Sequence, residues 1–203
     1  MTAVDPDPDS ASRNPSLRRR GHPQACGEVV ADAWDRDPYS FVMPTVHLIR
    51  HGEVANPNHV VYADLPGFNL SPRGVLQAEA AGGWLSSSRL DAVISSPLAR
   101  ARQTATAIAR PQGLIPIVDE RLVETRQFPA WTGHRWDDIP VLFAGQLERY
   151  LAGTVTDAEQ TETLDSVAHR VSEVITDVVG TGATTIGIVS HQDPVQATRL
   201  AMT

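Results

Sequence analysis

The sequence contains little cysteine, no excess of basic residues and no long apolar run. Its single cysteine, Cys26, allows neither a disulfide framework nor a site built from several thiolates. The formal net charge is −7, which does not suit general nucleic-acid binding, because such binding requires an excess of Lys and Arg. No apolar run approaches the roughly 20 residues that span a bilayer, and no apolar segment follows the basic cluster Arg18–Arg20, as a signal peptide would require. We therefore expect a cytoplasmic protein with no nucleic-acid or membrane partner.

The composition predicts one folded domain preceded by a tail. With 203 residues, of which 41% are hydrophobic, the chain is long enough for one domain with a sizeable core. Residues 1–42 carry Asp-Pro repeats and little apolar periodicity, so they are predicted to be mostly disordered. The domain is predicted to cover residues 43–203. The sequence leaves open whether the segment before Met43 is an accessory tail or results from an upstream start codon.

The segment from Val46 to Glu53 is the centre of the pattern. A run of β-forming residues ends in Arg50, His51 and Gly52, as happens when a buried parallel strand carries polar side chains to its carboxyl end. Ligands of open α/β sheets bind at that edge. The glycine permits a sharp turn and a close approach to a ligand, while the arginine and the histidine supply a permanent cation and a titratable nitrogen. The segment therefore predicts a site for an anion.

Strands and helices alternate along the rest of the chain. Further strands are predicted at Asp91–Ser95, Ile115–Val118 and Thr184–Val189. Hydrophobic periodicity and capping residues predict helices after Ser71, after Ser96-Pro97, at Asp137–Leu151, at Thr163–Val179 and after Asp193. A long loop, Val54–Asn69, follows the first strand, and loops of this length are generally functional. The alternation predicts an α/β fold in which helices cover both faces of a mostly parallel central sheet, a three-layer α/β/α arrangement.

Four short motifs resemble, in the same order, those of the histidine phosphatase superfamily, the phosphoglycerate mutase-like proteins. They are Arg50-His51-Gly52-Glu53, Ser95-Ser96-Pro97-Leu98-Ala99-Arg100 with Gln103-Thr104-Ala105, Leu122-Val123-Glu124, and Ser190-His191. An Arg-His-Gly triplet alone would be weak evidence because it recurs by chance, but four matches in order are specific. The resemblance covers the chain from about Thr45 to its end and implies a phosphoglycerate mutase-like fold.

The resemblance implies phosphoryl transfer through a histidine, with no metal or other cofactor. His51 would be the nucleophile, with Nδ1–H donated to a backbone carbonyl and Nε2 facing phosphorus. Arg50 and Arg100 would bind the phosphate oxygens through forked hydrogen bonds, and His191 would bind the transferring group in its protonated form. Glu124, its pKa raised by burial and by the phosphate dianion, would protonate the leaving oxygen and then activate water.

Neighbouring residues are expected to have supporting or structural roles. Asn56 is a candidate phosphate ligand, since relatives carry an asparagine after the first motif. Gln192 stands where relatives have small glycines and is expected to add a polar contact to the phosphate. Glu53 is interpreted as a structural partner or a neighbour of the substrate, and Glu120 is the alternative acid. Asp193, followed by proline, is interpreted as the N-cap of the last helix and is assigned no chemistry.

The predicted function is hydrolysis of a phosphate monoester of a small metabolite, because the insertions of the mutase branch have no room in this chain. A protein phosphohistidine phosphatase would need a shallower mouth than the Val54–Asn69 loop suggests. A catalytically silent phosphate-binding module is a third hypothesis, because relatives usually continue beyond the position of Thr203 with more helix and a further strand. Truncation there would leave a sheet edge uncovered. The expected partner is a small phosphorylated substrate, and a homodimer is left open.

Overall fold

A parallel sheet forms the centre of the domain. The computed structural model describes residues 43–125, 128–156 and 160–202, so the predicted tail, residues 1–42, lies outside the described residues. Within them, the strands are β1 (Thr45–Arg50), β2 (Ala92–Ser95), β3 (Ile117–Val118) and β4 (Thr185–Ser190). Their order across the sheet is β1-β4-β2-β3, and every neighbouring pair is parallel. The predicted α/β class with a parallel sheet is confirmed.

Helices cover both faces of this sheet. They are α1 (Pro72–Leu85), α2 (Ala99–Ala109), α3 (Ile139–Leu142), α4 (Gln146–Leu151), α5 (Leu164–Gly180) and α6 (Gln192–Ala201). Single turns of 3-10 helix cover Ser86–Ser88, Arg110–Gln112, Glu120–Leu122, Pro129–Trp131 and Trp136–Asp138. Helices α1 and α2 contact each other on one face, and α5 contacts α6 on the other. None of the helices in the described part of the chain has the length and apolar character needed to cross a bilayer.

The side chains of β2 alternate between two apolar clusters, one on each face of the sheet. Val93 packs with residues of α1 and α2, while Ile94 packs with residues of α5. Each fully buried aliphatic side chain contributes about 1.5–3 kcal/mol, so these clusters hold the three layers together. Two apolar residues that helical periodicity places on the inner faces of α1 and α5 are exposed instead: Val75 is 44% and Leu164 is 45% exposed. In α1 the buried residues are Gly74, Ala78, Gly82 and Leu85, and Val75 follows the first of them. Leu164 is the first residue of α5, whose buried residues begin at Val167.

Helix α1 begins as predicted but packs through its glycines differently. The Ser71 side chain caps it by accepting a hydrogen bond from the Gly74 N–H at 3.0 Å. A Cβ on Gly74 would lie 2.0 Å from the Glu53 carbonyl oxygen, and one on Gly82 would lie 2.5 Å from the Ala107 carbonyl oxygen. These glycines therefore allow a close approach of α1 to the loop after β1 and to α2.

Two boundaries differ from the predictions. Helix α2 begins at Ala99 rather than directly after Ser96-Pro97, and no side chain of the described residues caps it. The loop between β2 and α2 is therefore longer than expected. Strand β3 pairs with β2 only from Ile117, and Ile115, which was predicted to begin the strand, is 87% exposed.

The predicted single helix at Asp137–Leu151 is two short helices, α3 and α4. They are separated at Gly145, whose φ of +79° is left-handed. Glycine adopts this conformation without steric cost, and the chain changes direction there. The change of direction matters for the site, because it brings Tyr150 of α4 to a cavity lined by residues from distant parts of the chain.

Candidate active site

The carboxyl ends of β1 and β4 bring two histidines together. In the parallel register Arg50 lies opposite Ser190, so the residues that follow, His51 and His191, leave neighbouring strands at the same level. The His51 N–H donates to the Ser190 carbonyl at 3.0 Å, and the two imidazole centroids are 5.1 Å apart. Both side chains are buried, with exposed fractions of 7% and 0%. The predicted convergence of the first and last motifs is therefore present.

His51 has the tautomer that a nucleophile at Nε2 requires. Its Nδ1 lies 2.7 Å from the Gly52 carbonyl oxygen, and since that oxygen can only accept, Nδ1 must carry the hydrogen. The lone pair of Nε2 accepts a hydrogen bond of 3.3 Å from Arg100 Nε. Burial, assisted by the charges of Arg100 and Arg50, lowers the pKa of His51 to about 4 against the hydrogen bond to Gly52. The ring is therefore neutral at pH 7, as the sequence predicted.

His191 has one ring nitrogen bound and one without a partner. Its Nε2 lies 2.7 Å from Ser96 Oγ, which already accepts the Leu98 N–H at 3.4 Å. The Ser96 hydroxyl is thus suited to donate to Nε2, which leaves the hydrogen of the imidazole on Nδ1. That Nδ1 is buried and has no hydrogen-bond partner within the described ranges. A phosphate oxygen is the kind of acceptor that this N–H lacks.

The protein's own groups keep the ring of His191 neutral. Burial first, then the charges of Arg100 and His51, lowers its pKa to about 2. The protonated form was predicted for the phosphate-bound state, and it stays a prediction. A bound phosphate dianion would raise the pKa by adding the opposite charge, but a neutral Nδ1–H donor already suffices to bind a phosphate oxygen.

Two arginines complete a cluster that we call the phosphate cradle: His51, His191, Arg50 and Arg100. Arg100 is 1% exposed; besides His51 Nε2 it donates to the Ala63 carbonyl. Its guanidinium carbon lies 4.7 Å from the centroid of the Tyr62 ring. Burial lowers the pKa of Arg100 below its usual value, although an arginine remains charged at neutral pH. Arg50 is exposed and borders both cavities described below.

Gly52 has a packing role that the sequence did not indicate. A Cβ at this position would lie 2.4 Å from the Gly74 carbonyl oxygen, so a side chain would collide with the backbone of α1. The Gly52 N–H donates to Thr104 Oγ1 at 3.1 Å, and Thr104 donates to the Arg100 carbonyl at 2.9 Å. Gly52 therefore approaches α1 closely in addition to bordering the outer cavity described below, and Thr104 of the second motif fixes the turn.

Glu124 has the protonation behaviour of a general acid or base at neutral pH. Its Oε1 accepts the Thr125 N–H at 2.9 Å. Burial first, and the charge of Asp193 second, raises the pKa of Glu124 to about 7, against hydrogen bonds from the backbone of Thr125 and Asp193. From the sequence, the negative charge beside Glu124 was expected to come from a bound phosphate, but Asp193 already supplies a negative charge there. A carboxyl group with this pKa can both give and take a proton near pH 7.

Asp193 is the residue that sequence reasoning missed. Helix α6 begins at Gln192 with His191 in the N-cap position, so Asp193 is the second helical residue and not the N-cap. The cap lies earlier because His191, which ends β4, has an extended backbone with φ −124° and ψ −176°. The Asp193 side chain is half-buried and borders the same cavity as Glu124. Burial raises its pKa, and Arg50 acts in the opposite direction.

Two cavities adjoin the phosphate cradle. The outer cavity, about 480 Å³, is bordered by His51, Gly52 and Asn56, and the aromatic cavity, about 260 Å³, is bordered by Glu124 and Asp193. The rings of the aromatic cavity are Tyr62, Phe128, Trp131, Trp136 and Tyr150. Both cavities share Arg50 and Tyr62. In the described part of the chain, no group of three or more His, Cys, Asp or Glu side chains is arranged to hold a metal ion.

The two further predicted phosphate ligands lie at the edges of these cavities. Asn56 Nδ2 donates to the Val60 carbonyl at 2.9 Å, and Asn56 Oδ1 accepts the Val60 N–H at 3.0 Å. This pair closes the loop after β1 and uses most of the hydrogen-bonding capacity of Asn56. Gln192 is exposed and borders the aromatic cavity. Direct phosphate contacts from Asn56 and Gln192 therefore stay predictions.

Glu53 and Glu120, the other carboxylates near the site, differ from Glu124 in their surroundings. Glu53 accepts a hydrogen bond from Ser71 Oγ at 2.7 Å and forms an ion pair with Arg73 at 3.3 Å, which fits the structural role predicted for it. Glu120 belongs to a 3-10 turn and is absent from the borders of both cavities as the described residues form them. Of the carboxyl groups considered for the acid, Glu124 has the position and the pKa that the role requires.

Comparisons with known proteins agree with the geometry. The family model of the histidine phosphatase superfamily (branch 1) matches residues 46–202. An uncharacterised protein of Mycobacterium tuberculosis, Rv0525, is 35% identical over 165 residues, covering 78% of each chain. Phosphoserine phosphatase 1 of Hydrogenobacter thermophilus is 29% identical over 157 residues, covering 76% of this chain and 74% of its own.

Solved structures include a mycobacterial glucosyl-3-phosphoglycerate phosphatase in complex with VO3. It is 25% identical, has a TM-score of 0.69, and the match covers 78% of this chain and 81% of that protein. The matches therefore extend over the β1 motif, the second motif and the β4 motif alike. The chain belongs to the histidine phosphatase superfamily, branch 1.

Proposed function

We propose that this chain hydrolyses phosphate monoesters of small metabolites through a phosphohistidine at His51, without a metal ion. One observation carries the proposal: His51 is neutral, its Nδ1–H is bound to the Gly52 carbonyl, and its Nε2 lies beside Arg100 and the ring of His191. A neutral imidazole held in this way is a nucleophile surrounded by the donors that a phosphate needs.

In the first step the phosphate binds in the cradle and is attacked by His51 Nε2. Arg100 exchanges its hydrogen bond to Nε2 for phosphate oxygens, while Arg50 and His191 Nδ1–H bind the remaining ones. A P–N bond forms and the P–O bond to the alcohol breaks. Glu124 gives its proton to the leaving oxygen, and the Gly52 carbonyl stabilises the positive charge that develops on the ring of His51.

In the second step water regenerates the enzyme. The Glu124 carboxylate takes a proton from the attacking water, a P–O bond forms, and the P–N bond breaks. His51 becomes neutral again, and inorganic phosphate leaves. The two in-line displacements give overall retention at phosphorus. A pKa of about 7 for Glu124 supports its use in both directions near neutral pH.

Cavity size and relatives support a small substrate. The aromatic cavity of about 260 Å³ is close to the lower end of the range typical of small-molecule pockets, about 300–1,000 Å³. Two of the similar proteins are named phosphatases of small molecules, phosphoserine phosphatase 1 and glucosyl-3-phosphoglycerate phosphatase. We propose phosphomonoester hydrolysis, rather than a mutase reaction, on these grounds.

Hydrolysis of p-nitrophenyl phosphate in the presence of EDTA tests the proposal. The wild type should be active, and His51→Ala should lose activity by at least roughly 10³-fold, because removing a nucleophile disables the catalytic unit. His169→Ala is the matched control, since the side chain of His169 on α5 is 77% exposed, and it should match the wild type. Activity that survives in His51→Ala, or that EDTA abolishes in the wild type, would refute the proposal.

A further inference from the structure

The aromatic cavity differs from the phosphate cradle in its charged groups. Its border carries two carboxyl groups, Glu124 and Asp193, beside Arg50, which it shares with the cradle, whereas the cradle consists of Arg50, Arg100 and two neutral histidines. The Tyr150 hydroxyl lies near the two carboxyl groups, since burial first and then the charges of Asp193 and Glu124 raise its pKa. A substrate that spans the two regions meets two arginines at its phosphate end and the carboxylate of Asp193 at the other end.

The carboxylate of Asp193 lacks a close cationic partner. Among the residues that the structure describes, it has no ion pair within 4.0 Å and no hydrogen-bond donor that lowers its pKa. Burial raises the pKa of Asp193, and the charge of Arg50 acts in the opposite direction. In the proposed mechanism Arg50 also binds the phosphate. A half-buried carboxylate in this situation gains free energy when a cation binds beside it.

Thr125 supplies a second group without a partner. It is 8% exposed and borders the aromatic cavity. Its Oγ1 is buried, and no other group within residues 43–125, 128–156 and 160–202 hydrogen-bonds to it. A buried hydroxyl without a partner is unfavourable and calls for an explanation, and a ligand that donates to Oγ1 would supply one.

The aromatic rings form walls that suit a cation. Phe128 and Trp131 are stacked with centroids 4.3 Å apart and an interplanar angle of 12°. Tyr150 stands almost perpendicular to both, at 88° to Phe128 and 83° to Trp131. These rings exclude water from the part of the cavity that they border, and an ion pair formed beside them is stronger in such low-dielectric surroundings.

We infer that the aromatic cavity binds a protonated primary amine on the alcohol part of the substrate, which makes phosphate monoesters of amino alcohols the preferred substrates. The inference rests on the proposed phosphatase function and specifies its substrate class. The ammonium group donates to the Asp193 carboxylate and to Thr125 Oγ1. A methyl group in the same position would leave both acceptors without a partner. A hydroxyl group would leave the charge of Asp193 uncompensated.

The test uses three matched series of phosphate monoesters. Linear alkyl phosphates of two to five carbons carry a terminal ammonium, methyl or hydroxyl group, and kcat/KM is measured for each by phosphate release. At the best chain length, the ammonium compound should exceed the methyl compound by roughly tenfold or more, as expected for hydrogen bonds to a charged group. The ammonium compound should also exceed the hydroxyl compound.

Two variants test whether Asp193 and Thr125 cause the preference for the ammonium compound. Asp193→Asn should bring the ammonium-to-methyl ratio of kcat/KM close to one, and Thr125→Val should lower it in part. Because the ratio compares two alkyl substrates on one enzyme, the influence of Asp193 on the acidity of Glu124 cancels. The matched control is Asp165→Asn, since Asp165 is the acidic residue in the first turn of α5 and is exposed. It should leave the ratio unchanged.

The possible outcomes separate this inference from the proposed function. If kcat/KM for the methyl compound equals that for the ammonium compound, the cavity is an apolar site. If kcat/KM for the hydroxyl compound exceeds that for the ammonium compound, the cavity is a site for neutral polar groups. Either result overturns the inference. If p-nitrophenyl phosphate is hydrolysed through His51 while the ammonium-to-methyl ratio is near one, the amine site alone is refuted. If neither p-nitrophenyl phosphate nor any alkyl phosphate is hydrolysed, the proposed function fails and the inference falls with it.

Discussion

The phosphate cradle and the aromatic cavity are built in different ways. His51 and His191 follow neighbouring strands in register, and Arg100 lies in the first turn of α2. The cavity instead combines Arg50, the loop after β1, side chains that follow β3 (Glu124, Thr125, Phe128, Trp131 and Trp136), Tyr150 of α4 and the start of α6. The sheet therefore fixes the groups for phosphoryl transfer, and loops supply the groups that meet the rest of the substrate. This division is how one fold can keep its chemistry while its substrates vary.

The two regions also differ in what burial does to their ionisable groups. In the cradle, burial lowers the pKa of both histidines and keeps them neutral. In the cavity, burial raises the pKa of Glu124 and Asp193 and favours their protonated forms. The cradle is thus ready to bind an anion, while the cavity is ready to donate a proton or to bind a cation. The predictions below test each side of this contrast.

The largest effect is expected at Glu124, where the two regions meet. Glu124→Gln should slow the first step with alkyl phosphates, measured as first-turnover release of the alcohol, by about 10²–10⁴-fold, the usual contribution of general acid catalysis. It should slow first-turnover release of p-nitrophenol much less, because that leaving group does not need a proton, whereas the second step, in which Glu124 is the base, is common to both substrates. Because the acid must be protonated and its pKa is about 7, the wild-type rate on alkyl phosphates should fall as the pH rises above 7. Measured pH profiles should lose this limb in the variant. Equal losses in first-turnover release of the two leaving groups would assign the acid to another group.

A large effect is also expected inside the cradle. Arg100→Lys should lower kcat/KM for p-nitrophenyl phosphate by about 10²–10³-fold, comparable to the loss of one donor to the transition state, because lysine cannot make the forked contact. Arg102→Lys on the same helix is exposed and should have no measurable effect. Steady-state kinetics of the two variants check this. Similar activities would remove Arg100 from phosphate binding.

A smaller effect concerns stability in acid. The pKa of His51 is about 4 in the folded protein and 6.5 by default, so the unfolded chain takes up this proton first as the pH falls. The folded protein should therefore lose up to about 3 kcal/mol between pH 6.5 and pH 4. In His51→Asn this contribution is absent. Urea unfolding of both proteins across this range should show the wild type losing up to about 3 kcal/mol relative to the variant as the pH falls, and a difference that stays constant would contradict the assignment.

The smallest effect separates function from stability in the cavity. Thr125→Val removes a buried hydroxyl that has no partner among the described residues, so it should stabilise the protein by about 1 kcal/mol. Thr104→Val is the control, because its hydroxyl binds both Gly52 and Arg100, and it should destabilise by about 1–3 kcal/mol. Thermal melts would measure both changes. Destabilisation by Thr125→Val would mean that Oγ1 has a partner in the free protein.

The cradle could be predicted from the sequence, because its residues follow strands. A run of β-forming residues that ends in Arg50 and His51 indicates a site at the carboxyl edge of a sheet, and the same applies to His191. Arg100 lies on a helix, where an arginine is usually solvated, so its assignment depended on the order of motifs. Its near-complete burial and its contact with His51 are properties of the folded chain alone.

The cavity could not be predicted, because its residues are far apart in the sequence. Phe128 and Tyr150 meet only because the chain changes direction at Gly145, and a glycine within a helical pattern is the signal that could have indicated the break. Asp193 was missed for a different reason. An aspartate before a proline matches the pattern of an N-cap, and nothing local reveals that the helix begins at Gln192.

The central claim is that His51 carries the phosphoryl group during turnover. Wild type and His51→Ala are mixed with a 32P-labelled phosphate monoester, quenched during turnover in acid or in alkali, and the radioactivity on the protein is counted. A phosphoramidate at His51 is labile in acid and stable in alkali. The account therefore predicts label on the wild type after the alkaline quench, little after the acid quench, and none on His51→Ala. Label that survives acid, or that persists on His51→Ala, would contradict it.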